Sequence, residues 1–255
     1  MNHWSVPARR RESNWESERL IGGAIEAAPI AFSVLSDEGR YIAANRAASS
    51  FSGYARHELL RLSSLDLSAD PERSRAAMES TFRTGSASGV RRLLRADGSI
   101  LQVEYRLTAA ELGDDRLLVA AWWPVDAGVE PADDQSENGM SPDSGAHARV
   151  LGLAFQRAPI AVTVSDGAGN YLALNDRACE ITGYSRAELF ELGAFGVVTS
   201  PGPPPGGDLT RLPGIRSGEA ELRCSDGTTK TVSFRAATTV LAKQKVRIGV
   251  WWETG

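Results

Sequence analysis

The amino-acid sequence predicts an α+β protein of two like-built domains, each a five-stranded antiparallel sheet with short helices gathered on one face. The first observation behind this is a duplication. Ala28-Pro29-Ile30-Ala31, Tyr41, Asn45, Gly53-Tyr54 and Glu58-Leu59 return as Ala158-Pro159-Ile160-Ala161, Tyr171, Asn175, Gly183-Tyr184 and Glu188-Leu189 at one constant offset. Asp97-Gly98 and Trp122-Trp123 then return as Asp226-Gly227 and Trp251-Trp252 with the offset one residue shorter. The unit is long enough to enclose its own core, unlike a solenoid repeat of ~20 to 50 residues. The second observation is the order of periodic segments within the unit: two strands, a cluster of helices, then a three-stranded meander. The third is an acidic stretch between the repeats, with Pro131, Asp133, Asp134, Glu137, Gly139, Pro142 and Asp143 and almost no large apolar residue. Such a segment cannot bury enough surface to offset its ordering entropy. The expected boundaries are a tail over 1–16, a first domain over 17–126, a flexible linker over 127–147 and a second domain over 148–255.

The first domain opens on a helix, since Leu20, Ile21, Ala24 and Ile25 recur at helical spacing and Ala28-Pro29 ends the run. Phe32 and Val34 alternate with Ser33, Asp37-Glu38-Gly39 turns the chain, and Arg40 to Ala43 resumes as the partner strand of a hairpin. Asn45 to Phe51 reads as a helix closed by Gly53, a residue free to take positive φ. Ala55 to Leu62 is a second short helix. Asp70-Pro71-Glu72 starts a third that runs through Arg83, with proline in the first turn and acidic residues where the helix dipole favours them. Arg91 to Arg95 and Leu101 to Thr108 form a hairpin across Asp97-Gly98, the latter strand alternating Leu101, Val103, Tyr105 and Leu107 with polar residues, and Arg116 to Trp123 follows. In the second domain Val232 and Phe234 alternate in the same way. There, however, Ser200-Pro201-Gly202-Pro203-Pro204-Pro205-Gly206-Gly207 stands in place of the helix from Pro71 to Arg83 and predicts a loop.

Composition removes several classes of function. No run approaches the ~18 apolar residues of a membrane helix, and the basic run Arg9-Arg10-Arg11 is followed by polar and charged residues rather than the apolar core of a signal peptide. A cytoplasmic protein without membrane insertion is expected. Formal net charge is −4 and that tail holds the only basic cluster, so direct nucleic-acid binding is not expected. Cys179 and Cys224 have no counterparts in the first repeat and read as two small free thiols. The sequence offers no phosphate-binding loop, no metal-binding His-Glu motif and no nucleophile elbow, and no catalytic residue is assigned.

Taken together, Ala28-Pro29-Ile30, the Asp37-Glu38-Gly39 turn, Asn45, Gly53-Tyr54, Glu58-Leu59 and Asp97-Gly98 resemble a PAS sensor domain. Ala158-Pro159-Ile160, Gly167 to Tyr171, Asn175, Gly183 to Leu189 and Asp226-Gly227 repeat the resemblance. It covers nearly everything except the tail and the linker. It implies a small ligand or cofactor on the concave face of a five-stranded sheet, with signals leaving through flanking helices or the sheet. It also leaves open descent from a longer multidomain sensor, in which the last strand feeds an output module through an acidic-Thr junction such as Glu253-Thr254.

Haem-binding relatives place a histidine on the helix over the pocket, but Asp70 to Arg83 has none, and His3, His57 and His147 lie elsewhere. Haem is not expected. Neither cysteine stands in the Asn-Cys-Arg-Phe context required for a covalent flavin adduct, which excludes that photochemistry, while a non-covalent flavin or a small metabolite stays open. Strand parity gives Phe32, Val34, Tyr54, Val103 and Tyr105 as pocket candidates in the first domain, with Asn45 tying the helix cluster to its neighbours. Neighbouring residues of a strand face opposite ways, so one ring of Trp122-Trp123 and one of Trp251-Trp252 should enter a core and the other lie on the outer sheet face, either as an interface residue or packed against the lead-in helix of its own chain. Two functional readings follow. One is a sensory module that detects a ligand in the first domain and relays it through a homodimer or a signalling partner; the other is a ligand-free interaction adaptor.

Overall fold

The computed structural model describes residues 22–126, 144–200, 208–211, 215–241 and 244–253. The tail, the first residues of the expected lead-in helix, most of the expected linker and the run 201–207 lie outside them. In the first domain a helix over 22–26 (α1) leads into β1 (Ala31–Ser36) and β2 (Tyr41–Ala44). Next come α2 (Arg46–Ser52), α3 (Arg56–Leu59) and α4 (Pro71–Thr84), then β3 (Ser86–Leu94), β4 (Ile100–Leu112) and β5 (Asp115–Pro124). The sheet order is β2-β1-β5-β4-β3, with every pair antiparallel. The second domain repeats the plan with α5 (Ser144–Arg157), β6 (Ala161–Ser165), β7 (Tyr171–Leu174), α6 (Asp176–Thr182) and α7 (Arg186–Val197). It closes with β8 (Val198–Ser200), a 3-10 turn (Leu209–Arg211), β9 (Ile215–Arg223), β10 (Thr229–Leu241) and β11 (Gln244–Glu253), in the order β7-β6-β11-β10-β9-β8. Even the irregularity is duplicated: β1 shifts register against β2 between Val34 and Leu35, and β6 against β7 between Val164 and Ser165.

Two expectations change. The second sheet has six strands rather than five, because Val198 pairs with Leu222 and Ser200 with Glu221 along the edge of β9; β-branched Val198 and Thr199 suit extended backbone. In addition, α5 begins at Ser144, inside the segment expected as linker.

The helices are fixed by local chemistry. Asn45 caps α2 and Asn175 caps α6, and neither is accessible to solvent. Asn45 Oδ1 accepts from the amides of Ala48 (3.1 Å) and Phe32 (2.9 Å), and its Nδ2 donates to the carbonyls of Ile25 (2.8 Å) and Ile30 (2.9 Å). Asn175 makes the matching four bonds to Ala178, Val162, Phe155 and Ile160. One amide side chain thus joins the lead-in helix, the first strand and the next helix. At the hairpin tips, Asp97 Oδ1 accepts from the Ser99 amide (2.9 Å) and hydroxyl (2.5 Å), and Asp226 Oδ1 from those of Thr228. These bonds hold both carboxyls below the usual aspartate range. A carboxyl lowered by folding adds stability above its unfolded pKa, and that contribution is lost as pH falls through the lowered value. Replacing Ser99 with alanine should therefore move the Asp97 titration back up toward an ordinary aspartate, as followed by NMR against pH; an unmoved titration would contradict the assignment.

Each domain has its own interior between sheet and helices. One contains Leu35, Phe51, Leu67, Val103, Leu118 and Trp122, the other Leu174, Ile181, Leu189, Leu222, Val232 and Trp251. A third apolar cluster lies between the two outer sheet faces. Phe32, Val34, Val119 and Trp123 meet Val162, Val164, Ile248 and Val250 there, together with Ile25 and Phe155 of the lead-in helices. The helix α5 of the second domain packs over β1, β2 and β5 of the first. Reciprocally, α1 reaches β10, where a Cβ added at Gly23 would stand 3.0 Å from Leu241 Cδ2. Trp123 and Trp252 contact each other across this boundary with ring centroids 4.4 Å apart at 32°. The domains therefore sit back to back, with each sheet buried on both faces near the middle.

Candidate functional site

A cavity of about 410 Å³ opens between α4 and the concave face of the first sheet. Its roof follows from helix spacing. Ser74, Ala77 and Met78 lie on one face of α4, and the two small residues leave room above the sheet. Met78 is held close: its Sδ lies 3.6 Å from Ser64 Oγ, and a Cβ at Gly39, where φ is +81°, would fall 2.7 Å from its Cε. The apolar wall is completed by Leu35, Leu107, Ala120 and Trp122. On the polar side, Trp122 Nε1 donates to Ser33 Oγ (3.3 Å), and the hydroxyls of Ser68 and Ser74 bond each other at 2.7 Å. Arg91 of β3 and the Tyr41 phenol of β2 both line the cavity, close enough for the guanidinium to act on the phenol. Those strands are opposite edges of the sheet, brought together across its concave face. Burial pushes the Tyr41 phenol up, with Arg91 acting against that rise, so the phenol remains a protonated donor at neutral pH.

Of the residues expected to line a pocket, Tyr105 does. Val103 belongs to the same inner core without lining the cavity, and Tyr54 packs against that core. Phe32 and Val34 correct the parity assignment: both are fully buried on the opposite face, against the second domain. Ala31, Ser33 and Leu35 are the inward residues of β1. The apolar-inward rule presumes one wet face, and here both faces of β1 are covered. The tryptophans divide as alternation requires. Trp122 and Trp251 enter the inner cores, Trp122 against Phe51 at 6.0 Å, whereas Trp123 and Trp252 occupy the contact between domains. Tyr41, Met78 and Arg91 were missed. Arg91 was detectable in principle, because Val103 facing inward requires its register partner Arg91 to face inward too.

Other groups offer less chemistry. His57 is exposed on α3, and no metal-binding cluster of His, Cys, Asp or Glu occurs among the described residues. Both cysteines are free; burial pushes the Cys179 thiol up, against the lowering effect of Arg186, which makes it a poor nucleophile. No described helix is long and apolar enough to cross a membrane. The Ser200 to Gly207 run, expected as a loop over the second domain, lies outside the described residues beyond Ser200. What precedes it is α7, bent at Gly193, whose φ of 62° and approach to the Gly169 carbonyl leave no place for a Cβ.

Family comparison matches residues 21–122 to the PAS fold and residues 151–213 to a PAS domain. Among solved structures, a PAS domain from a two-component sensor histidine kinase is similar at 20% identity and a TM-score of 0.41, over 44% of this chain and 99% of that one. A domain of the sensory box sensor histidine kinase/response regulator from Geobacter sulfurreducens is similar at 27% identity and a TM-score of 0.37, over 43% of this chain and 96% of that one. An RNA-binding light-oxygen-voltage receptor aligns over 89% of this chain and 95% of its own, at 14% identity and a TM-score of 0.37. Comparison with curated proteins finds no match.

Proposed function

Since the chain belongs to the PAS family and carries two such domains in tandem, with the general sensory and signalling role of that family, we propose that it is a sensory module whose first domain holds a small ligand. The ligand state is relayed through the second domain to a signalling partner or a second copy of the chain. One observation carries this reading: the cavity and the domain boundary share strands. Ser33 and Trp122 line the cavity, and their chain neighbours Phe32 and Trp123 are packed in the cluster between domains. A ligand that displaces β1 or β5 by a few tenths of an ångström must disturb that cluster, because close-packed interiors transmit strain. The relay works only as far as the ligand binds the two arrangements with different affinity.

The ligand of this reading is a small metabolite or a non-covalent flavin. The outer sheet faces, expected to carry interface residues, are occupied within one chain, so association with a second copy or a partner is proposed to use other surface. The test is to denature the purified protein, identify released molecules by mass spectrometry and record absorbance from the near ultraviolet to the red. A stoichiometric small molecule is expected. Empty, colourless protein that still captures a partner would replace this reading with the ligand-free adaptor.

A further inference from the structure

The two domains give an internal comparison at the cavity. In the first, Arg91 pairs with Val103 and Gly89 with Tyr105 across β3 and β4. In the second, the corresponding register sets Ala220 against Val232 and Gly218 against Phe234. The duplicated scaffold is the same, yet the guanidinium is replaced by a methyl group and the phenol by a phenyl ring. Tyr171, the counterpart of Tyr41, is buried, and burial alone raises its phenol. Arg91 is therefore not required by the fold at this position.

Arg91 is half-buried on the concave side of an edge strand, where a long charged chain is ordinarily free to reach water. It takes part in none of the ion pairs formed among the described residues. Its guanidinium, with five N–H donors, faces the cavity beside the Tyr41 phenol. The acidic side chain of the lining, Asp70, sits exposed at the rim and is engaged in capping α4, accepting from the Arg73 amide at 3.1 Å. Arg73 brings a further positive charge to the same rim. A cavity that combines an inward guanidinium, a protonated phenol and serine hydroxyls with thioether, leucine and indole surface matches an amphipathic anion.

We propose that this cavity takes a small organic carboxylate, its anionic end held by Arg91 and Tyr41 and its apolar body against Leu35, Met78, Leu107 and Trp122. The proposal rests on the reading of the cavity as the ligand site and adds the ligand's chemical class. The planar guanidinium fork fits a carboxylate through two parallel hydrogen bonds, a geometry that lysine cannot supply.

Matched probes that differ in charge test it on the full chain. Benzoate and benzyl alcohol are titrated calorimetrically into protein stripped of any co-purified molecule, into Arg91→Gln and into Tyr41→Phe. Benzoate is expected to bind at least tenfold more tightly than benzyl alcohol. Arg91→Gln should remove that preference, and Tyr41→Phe, which keeps the ring and its packing, should weaken benzoate several-fold. If Arg91→Gln does not fold, the Tyr41→Phe result decides. Equal binding of the two probes would overturn the anionic class while leaving the cavity as a ligand site. Benzoate binding untouched by both substitutions would place the anion elsewhere and overturn the assignment, as would binding of neither probe. The ligand-site reading itself falls separately, if denaturation of freshly purified protein releases nothing.

Discussion

Replacing Asn45 or Asn175 with alanine is expected to destabilise the protein by about 3–5 kcal/mol, because each substitution removes four buried hydrogen bonds at once. For Asn45 these bonds go to the carbonyls of Ile25 and Ile30 and come from the amides of Phe32 and Ala48; the Ile25 carbonyl and the Ala48 amide keep backbone partners in Ala28 and residue 45 itself, so the Ile30 carbonyl and the Phe32 amide lose most. An unsatisfied buried group costs about 1–3 kcal/mol, and the sum is reduced by whatever relaxation or water entry the site allows. The isosteric Asn45→Asp should do no better, since a carboxylate would face two carbonyl oxygens in place of the amide that now donates to them. Denaturant unfolding measures the loss. A change below about 1 kcal/mol for alanine would show that these bonds are not what fastens the lead-in helix to the sheet.

Trp123→Ala is expected to cost a similar amount, about 3–5 kcal/mol, the usual range for truncating a buried aromatic. Trp123 is 4% exposed and meets Trp252 of the other domain. Removing it opens a cavity between the domains rather than inside one. Both domains should lose stability, and the Trp123→Ala, Trp252→Ala double variant should be less destabilised than the sum of the singles by about 0.5–1.5 kcal/mol. Strict additivity would mean that the two rings do not interact in solution.

The repeat made the fold legible. Residues that returned in register, such as Asn45 with Asn175 and Gly53 with Gly183, turned out to be helix caps, with Gly53 at φ 77° and Gly183 at φ 73°. Capping is a local device with a short sequence signature, which is why the helices were placed well. The edge strand β8 was not legible, since a three-residue strand beside a proline-rich run has no period to detect. The candidate site was legible only in part. On β4 one face is more polar than the other, so Val103 and Tyr105 were oriented correctly. On β1 both faces are buried, and alternation of Phe32 and Val34 with Ser33 pointed the wrong way because the serine faces the cavity. The Tyr41 to Arg91 contact joins the two edges of the sheet, a tertiary relation that pairing rules between neighbouring strands do not contain.

The duplicated domains bury their sheet backs against each other in one apolar cluster, so loss of packing on one side is expected to loosen the other. Amide hydrogen exchange on wild-type and Trp123→Ala protein tests this most directly, read at β11 and α5 of the unsubstituted second domain. The back-to-back arrangement predicts faster exchange across the segments carrying Val246, Ile248, Val250 and Phe155 when the first domain loses its indole. Unchanged protection there, with loss confined to the first domain, would show two independent units joined only by their linker.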